Sequence, residues 1–292
     1  MGPLRFELKS LAPQAIFPEG KMTIKPSDFD TYIKHRSISV CNRWLDISKT
    51  MIQHYLEFVN WTIDENKTLD YFQLLKDTSP SGHWRKKVIQ IRKFLLYLKV
   101  DWANNIKVPK EFHTTIPKHI SKEDIASVLS LYQNHKFFKQ IKAIILLGCS
   151  SGLRAEEIYQ LTPNDIDLDN RIVYVNHNPG NGQTTKTGRS RVSFFNVEAQ
   201  KALIEYMDFF NNGSGLKQLF NQSHITRIFR KASIQVKDLR KFFSQEWERN
   251  CGPTGAKKLL MGHSGDVDLN HYNAQSNEDL KKIYDNIGIR IS

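Results

Sequence analysis

No run of about 18 or more apolar residues occurs in the 292-residue sequence, so no segment reads as a membrane span. The opening stretch MGPLRFELKSLAPQAIF lacks the apolar core and small-residue cleavage site of a secretory signal. Myristoylation of Gly2 is equally unsupported, because Phe6 stands where that motif has Ser or Thr. Cysteine is scarce. Cys41, Cys149 and Cys251 are odd in number, scattered and without metal-ligand spacing, and they read as buried thiols in a reducing compartment. No carboxylate cluster calls for a metal or other cofactor. The nearest candidate, Asp165, Asp167 and Asp169 in PNDIDLDN, reads as turn residues leading into a strand. No internal repeat is visible. These absences leave a cytoplasmic globular protein with no membrane partner.

What is present is positive charge. Forty-two Lys and Arg face 30 Asp and Glu, a formal net charge of +12. Such a surplus attracts nucleic acid, acidic membranes or acidic proteins, and for a chain of this kind DNA or RNA leads. Hydrophobic residues at 40% and charged residues at 25% are an ordinary globular balance, sufficient for a sizeable core.

Along the chain, residues 1–25 form an extension broken by Pro3, Pro13, Pro18 and Gly20. Residues 26–106 read as helical throughout. In VCNRWLDISKTMIQHYLEFVNW, Trp44, Ile47, Met51, Tyr55, Phe58 and Val59 recur at helical spacing. In GHWRKKVIQIRKFLLYL, Val88, Ile91, Leu95 and Leu98 make a core stripe. The other side carries Arg85, Lys86, Lys87, Arg92 and Lys93, either a solvated face or a helix laid against phosphates. Residues 107–120, with Pro109 and Pro117, read as a linker. A further domain, 121–292, opens at Ser121, whose hydroxyl can cap a helix begun by Glu123 and Asp124. RIVYV (171–175) and SRVSFF (190–195), joined by a polar Gly-rich stretch, predict a hairpin at the end of a small antiparallel sheet. The fold class is therefore mainly α with a small antiparallel β-sheet, in two domains.

Five short patterns in the second domain are each unremarkable alone. Arg154 in SGLRAEEI is explicable as a surface arginine pairing with Glu156 or Glu157. Lys186 in TTKTGRSR is a basic hairpin tip, beside Arg189 and Arg191. Lys237 and Arg240 in VKDLRKFF share a helix face. His263 in LLMGHS follows a Gly at a helix end, and Tyr272 in LNHYN could be any half-buried aromatic. In this order, with Tyr272 nine residues after His263, they resemble the tyrosine recombinase (phage-integrase) family over residues 26–286. GLRAEEI resembles its first arginine box, KTGRSR its hairpin lysine, KDLRKFF its His-x-x-Arg box and LLMGHSGDVDLNHY its Gly-His…Tyr box. Lys237 departs from the usual histidine, in the manner of some integrases of archaeal mobile elements.

The resemblance implies an N-terminal helical core-binding domain and a C-terminal mixed α+β catalytic domain acting on double-stranded DNA without metal or ATP. Tyr272 would attack the scissile phosphate, giving a 3′-phosphotyrosyl enzyme and a free 5′-hydroxyl. A phenol with an ordinary pKa near 10 needs cations and a proton acceptor to do so. Arg154 and Arg240 suit the non-bridging oxygens through their forked donors. Lys186 would protonate the leaving 5′-oxygen, and His263 would donate to the same phosphate. Glu157 would orient Arg154, and Lys237 would serve as base or as a phosphate contact. Arg85, Lys86, Lys87, Arg92, Lys93, Arg189 and Arg191 are the expected DNA contacts. The tail helix at about 276–287 is expected to pack on its own domain or to dock on a neighbour and build a tetramer. Competing readings are type IB topoisomerase-like strand swivelling, a catalytically impaired DNA-binding protein, and a helical RNA-binding protein, the last lacking the aromatic-rich sheet motifs of common RNA modules.

Overall fold

The helical reading of the first segment rests on apolar spacing, and in the computed structural model that spacing sets which helix faces meet. The structure describes residues 21–110, 118–211, 217–263 and 275–291. The chain forms two compact units, Met1–Ile116 and Pro117–Ser292.

In the first unit, α1 (Pro26–Ser37), α2 (Asn42–Phe58), α3 (Glu65–Thr78) and α4 (Ser81–Tyr97) surround one apolar core. Pro26 opens α1, where its missing N–H removes no helix bond. Asp64 caps α3 by accepting from the Lys67 N–H at 3.0 Å. Val88, Ile91, Phe94 and Leu95 of α4 are fully buried, and Phe94 meets the Phe29 ring edge-on at 6.0 Å.

Three expectations change here. The buried face of α2 is Met51, Ile52, Tyr55 and Leu56, continued by Val59, while Ile47 and Phe58 are 37% and 42% exposed. Spacings of three and four fit two adjacent stripes on this helix, and contact with α4 selects one. The segment 26–106 is not helical throughout, because β1 (Met22–Thr23) pairs antiparallel with β2 (Thr62–Ile63). A two-residue ladder is too short for alternation to register in sequence. It also brings Met22–Ile24, read as extension, into the unit: Ile24 is buried and its N–H donates to the Trp61 carbonyl at 2.8 Å.

The second unit is built on α6 (Phe138–Ser151), whose residues from Gln140 onward are buried apart from Lys142. It packs between α8 (Val197–Asn211) and α10 (Val236–Arg249). Ahead of it, α5 (Lys122–Tyr132) starts at the predicted cap, with the Asp124 N–H on Ser121 Oγ at 3.1 Å and the Ser121 N–H on Asp124 Oδ2 at 2.9 Å. After α7 (Ala155–Tyr159), β3 (Ile166–Asp167), β4 (Ile172–Val175) and β5 (Arg191–Phe194) form an antiparallel sheet in that order. The predicted hairpin is β4–β5, with Ile172 opposite Phe194 and Val175 opposite Arg191. α9 (Gln222–Ile228), α11 (Thr254–Met261) and α12 (Asn277–Ile287) complete the unit.

Of the two expectations for the tail helix, the structure shows self-packing. Leu280 and Tyr284 of α12 are buried in a cluster with Phe194, Phe243, Trp247 and Leu260. The Tyr284 hydroxyl donates to the Ser150 carbonyl at 2.9 Å, and Arg171 pairs with Asp285 at 2.8 Å. Beyond it, Ile289 and Ile291 are buried too, and the Ile291 N–H donates to Glu198 at 2.8 Å. Of the three cysteines expected to be buried, Cys149 is, while Cys41 and Cys251 are exposed. Among the described residues no helix is long and apolar enough to cross a membrane.

Candidate active site

Two helices of the second unit end in the same way, and their ends meet. α6 stops at Gly152 and α11 at Gly262, both at φ 65°. This left-handed conformation suits glycine because no Cβ crowds the following carbonyl. After α11, the Gly262 N–H donates to the Leu259 carbonyl and the His263 N–H to the Lys258 carbonyl, the paired bonds of a Schellman turn. The C-terminal carbonyls of a helix have no partners within it and carry partial negative charge. Here side chains supply the partners.

At α6, Tyr284 takes the Ser150 carbonyl, Ser193 Oγ takes Ser151 at 2.7 Å and Arg240 Nη1 takes Gly152 at 2.7 Å. At α11, three successive carbonyls bind three different arginines: Leu260 accepts from Arg191 Nε at 2.8 Å, Met261 from Arg240 Nη1 at 2.8 Å, and Gly262 from Arg154 Nη2 at 3.0 Å. Arg240 Nη1 thus bridges the two helix ends. Its remaining donors, Nε and Nη2, have no hydrogen-bond partner among the described residues.

A single carboxylate completes the group. Glu157, buried on α7, accepts Arg154 Nη1 at 2.9 Å and the Arg154 backbone N–H at 2.8 Å. It also takes both arms of Arg191, at 3.0 and 2.7 Å. Four bonds fill the acceptor capacity of a carboxylate. Burial works to raise the Glu157 pKa, but the Arg191 hydrogen bond and charge and the Arg154 bonds outweigh it and hold the group below its ordinary value. Arg240 is pressed down to about 10, first by burial and then by Arg154, and so stays a cation at neutral pH. His263 is lowered by burial and then by the charges of Arg240, Arg154, Lys257 and Lys258, which favours a neutral ring.

Arg154, Arg240, His263 and Glu157 are therefore brought together. Lys237 sits one turn before Arg240 on α10 and is exposed rather than desolvated between the arginines. Lys186 is exposed in the β4–β5 loop, on a turn closed by Gly188 at φ 68°. That loop is tied down by Asp165, which accepts from Thr162, Asn176 Nδ2 at 2.7 Å and Gln183 Nε2 at 2.9 Å, and by Gln160 Oε1, which accepts from the Thr184 N–H at 2.6 Å. Asp167 accepts from the Asn170 N–H at 2.9 Å, a turn role as expected. Tyr272 lies outside the described residues.

Among the expected DNA contacts, Arg189, Lys86 and Lys93 are exposed, and Lys87 is half-buried. Arg85 Nε is held by the Pro109 carbonyl at 2.8 Å, and Arg92 Nε by the Ala103 carbonyl at 3.3 Å, so both brace the C-terminal end of their own unit. Arg191 is the clear correction: its side chain is 11% exposed and committed to Glu157 and Leu260. Alternation along RVSF could have shown this, since Arg191 shares a strand face with the fully buried Ser193. Asp165 goes beyond the turn role read for it, because Asn176 and Gln183, 11 and 18 residues on, also bond to it, and the helix-end Gly262 lies against Arg191.

Residues 118–279 match the phage integrase family. The tyrosine recombinase XerA of Saccharolobus solfataricus is 30% identical over 182 residues, 57% of this chain and 58% of the relative. The chain thus spans little more than half of that relative's length. Among solved structures, the Tn1549 transposon integrase in complex with circular intermediate DNA superposes with a TM-score of 0.62 at 17% identity, covering 88% of this chain and 97% of that one. A lambda integrase tetramer bound to a Holliday junction gives 0.63 at 11% identity, covering 85% and 80%. At these identities the likeness is one of fold.

Proposed function

The chain belongs to the phage integrase family, and from that premise we propose that it is a site-specific DNA recombinase that cuts and rejoins DNA through a phosphotyrosyl bond to Tyr272. The observation that carries the reading is the convergence of Arg154, Arg240 and His263 on two helix ends, with donors of Arg240 left over. Guanidinium groups already oriented by protein carbonyls lose little freedom when a phosphate arrives, and their charge acts where the transition state gathers negative charge.

In the proposed reaction the Tyr272 oxygen attacks phosphorus as its phenolic proton passes to water, the P–O5′ bond breaks, and Lys186 hands a proton to the departing 5′-oxygen. Arg154 and Arg240 hold the non-bridging oxygens, and neutral His263 donates its one N–H to them. Lys237, exposed at the start of α10, adds charge at the phosphate. The new phosphotyrosyl ester keeps the energy of the broken bond, so a 5′-hydroxyl of another strand can reverse the step. The substrate is double-stranded DNA, with Arg189, Lys86, Lys87 and Lys93 as backbone contacts. The working unit is a tetramer on two DNA sites. Because α12 is buried on its own unit, assembly through it would proceed by exchange of the helix between protomers.

Incubation with a nicked suicide substrate, followed by a denaturing gel, tests the reading. A covalent adduct is expected with the unaltered protein and none with Tyr272→Phe, DNA binding being kept. An adduct that survives Tyr272→Phe refutes the nucleophile. Relaxation of supercoils without synapsis would favour the strand-swivelling alternative.

A further inference from the structure

We propose that Arg191 is a positioning residue that sets the spacing and charge of the phosphate-binding arginines. The inference rests on the recombinase reading for its chemistry and on the Glu157 and α11 contacts for its geometry. Expected from sequence to touch DNA, Arg191 instead occupies the centre of the cluster. Nη1 and Nη2 clasp Glu157 and Nε holds the Leu260 carbonyl, so every nitrogen of the guanidinium is engaged. Gly262 lies directly against it: a Cβ built there would stand 2.8 Å from Arg191 Cζ, Nε and Nη1. Arg191 therefore fixes the last carbonyls of α11, and the next two of these are the ones that orient Arg240 and Arg154.

The charge count gives Arg191 a second task. Glu157 carries one negative charge and is shared between Arg154 and Arg191. With Arg191 present, the three groups sum to one positive charge. Without it, Glu157 would neutralise Arg154 alone and blunt the cation offered to phosphate. Arg191 is also the first residue of β5, opposite Val175 and five residues after Lys186. The lysine hairpin is thereby anchored to the same carboxylate as the arginines.

Single-turnover cleavage of the suicide substrate by Arg191→Gln, Arg191→Lys, Arg154→Lys and the Arg191→Gln/Arg154→Lys double variant tests this, with DNA affinity measured alongside. Arg191→Gln should cleave about 10–100-fold more slowly, the range typical of outer-shell partners around metal ligands, with DNA affinity unchanged. Arg191→Lys should recover part of the rate, since an ammonium keeps the charge but not the fork. The double variant should lose less than the product of the single losses, because both act through one pair. Amide exchange at Gly262 and His263 should quicken in Arg191→Gln while α6 and α10 stay protected. Full activity in Arg191→Gln, multiplicative losses, or collapse of the whole unit in both Arg191 variants would each overturn the proposal. If the unaltered protein forms no adduct, the recombinase reading fails, and unchanged exchange at Gly262 and His263 would separately refute the clamp.

Discussion

Replacing Gly262 by alanine separates two demands on one residue. The first is conformational: at φ 65° a side chain crowds its own backbone, at about 1–2 kcal/mol. The second is steric: the new Cβ would fall 2.8 Å from three atoms of the Arg191 guanidinium, which cannot retreat without loosening Glu157 or Leu260. Overpacking of this kind costs about 1–3 kcal/mol. Gly288 isolates the first demand, since it ends α12 at φ 59° and a Cβ there meets nothing within 4 Å among the described residues. Gly288→Ala should therefore destabilise by about 1–2 kcal/mol, and Gly262→Ala by about 1–3 kcal/mol more, read from urea midpoints at constant m-value. Replacing Arg191 by methionine should shrink the excess, because a flexible thioether gives way where a doubly anchored guanidinium does not. Equal losses at the two glycines, within about 0.5 kcal/mol, would refute the claim that Gly262 is required by contact with Arg191.

Two further outcomes follow from the same cluster and its hairpin. Because Glu157 has a lowered folded-state pKa, its contribution to stability is present above the ordinary carboxylate value of 4.5 and lost as pH falls through the lowered one; Glu157→Gln should flatten the acid limb of a urea-stability profile across that window, and an unchanged limb would count against the carboxylate. Asp165→Ala strips Asn176, Gln183 and Thr162 of a buried acceptor, at about 1–3 kcal/mol, so trypsin should cut faster after the exposed Lys186 and Arg189 in native conditions, with unchanged cleavage speaking against Asp165 as the loop's anchor.

Arg154, Lys186, Arg240 and His263 took their meaning from their order, through resemblance to a family. The β4–β5 hairpin and the Ser121 cap were legible because each is encoded by residues near one another in sequence. So was the mainly helical class with its small antiparallel sheet, which the structure shows. The reading of Arg191 failed for the opposite reason. An arginine in a basic hairpin, on a chain of net charge +12, looks like a phosphate contact until the partners that claim it are known. Those partners, Glu157 and Leu260, lie 34 and 69 residues away. Arg85 and Arg92 likewise have Nε bonded to carbonyls 24 and 11 residues distant, which no local pattern shows.

Local chemistry in the sequence determined which residue types could handle a phosphate and in what order they come. Only the tertiary structure decided which arginines are left with donors to spare. A guanidinium has a fixed number of N–H groups, and buried carbonyls and carboxylates must be satisfied first. Folding brings α6, α11 and Glu157 to the same place, commits every nitrogen of Arg191 to α11 and Glu157, and leaves Nε and Nη2 of Arg240 unbonded among the described residues.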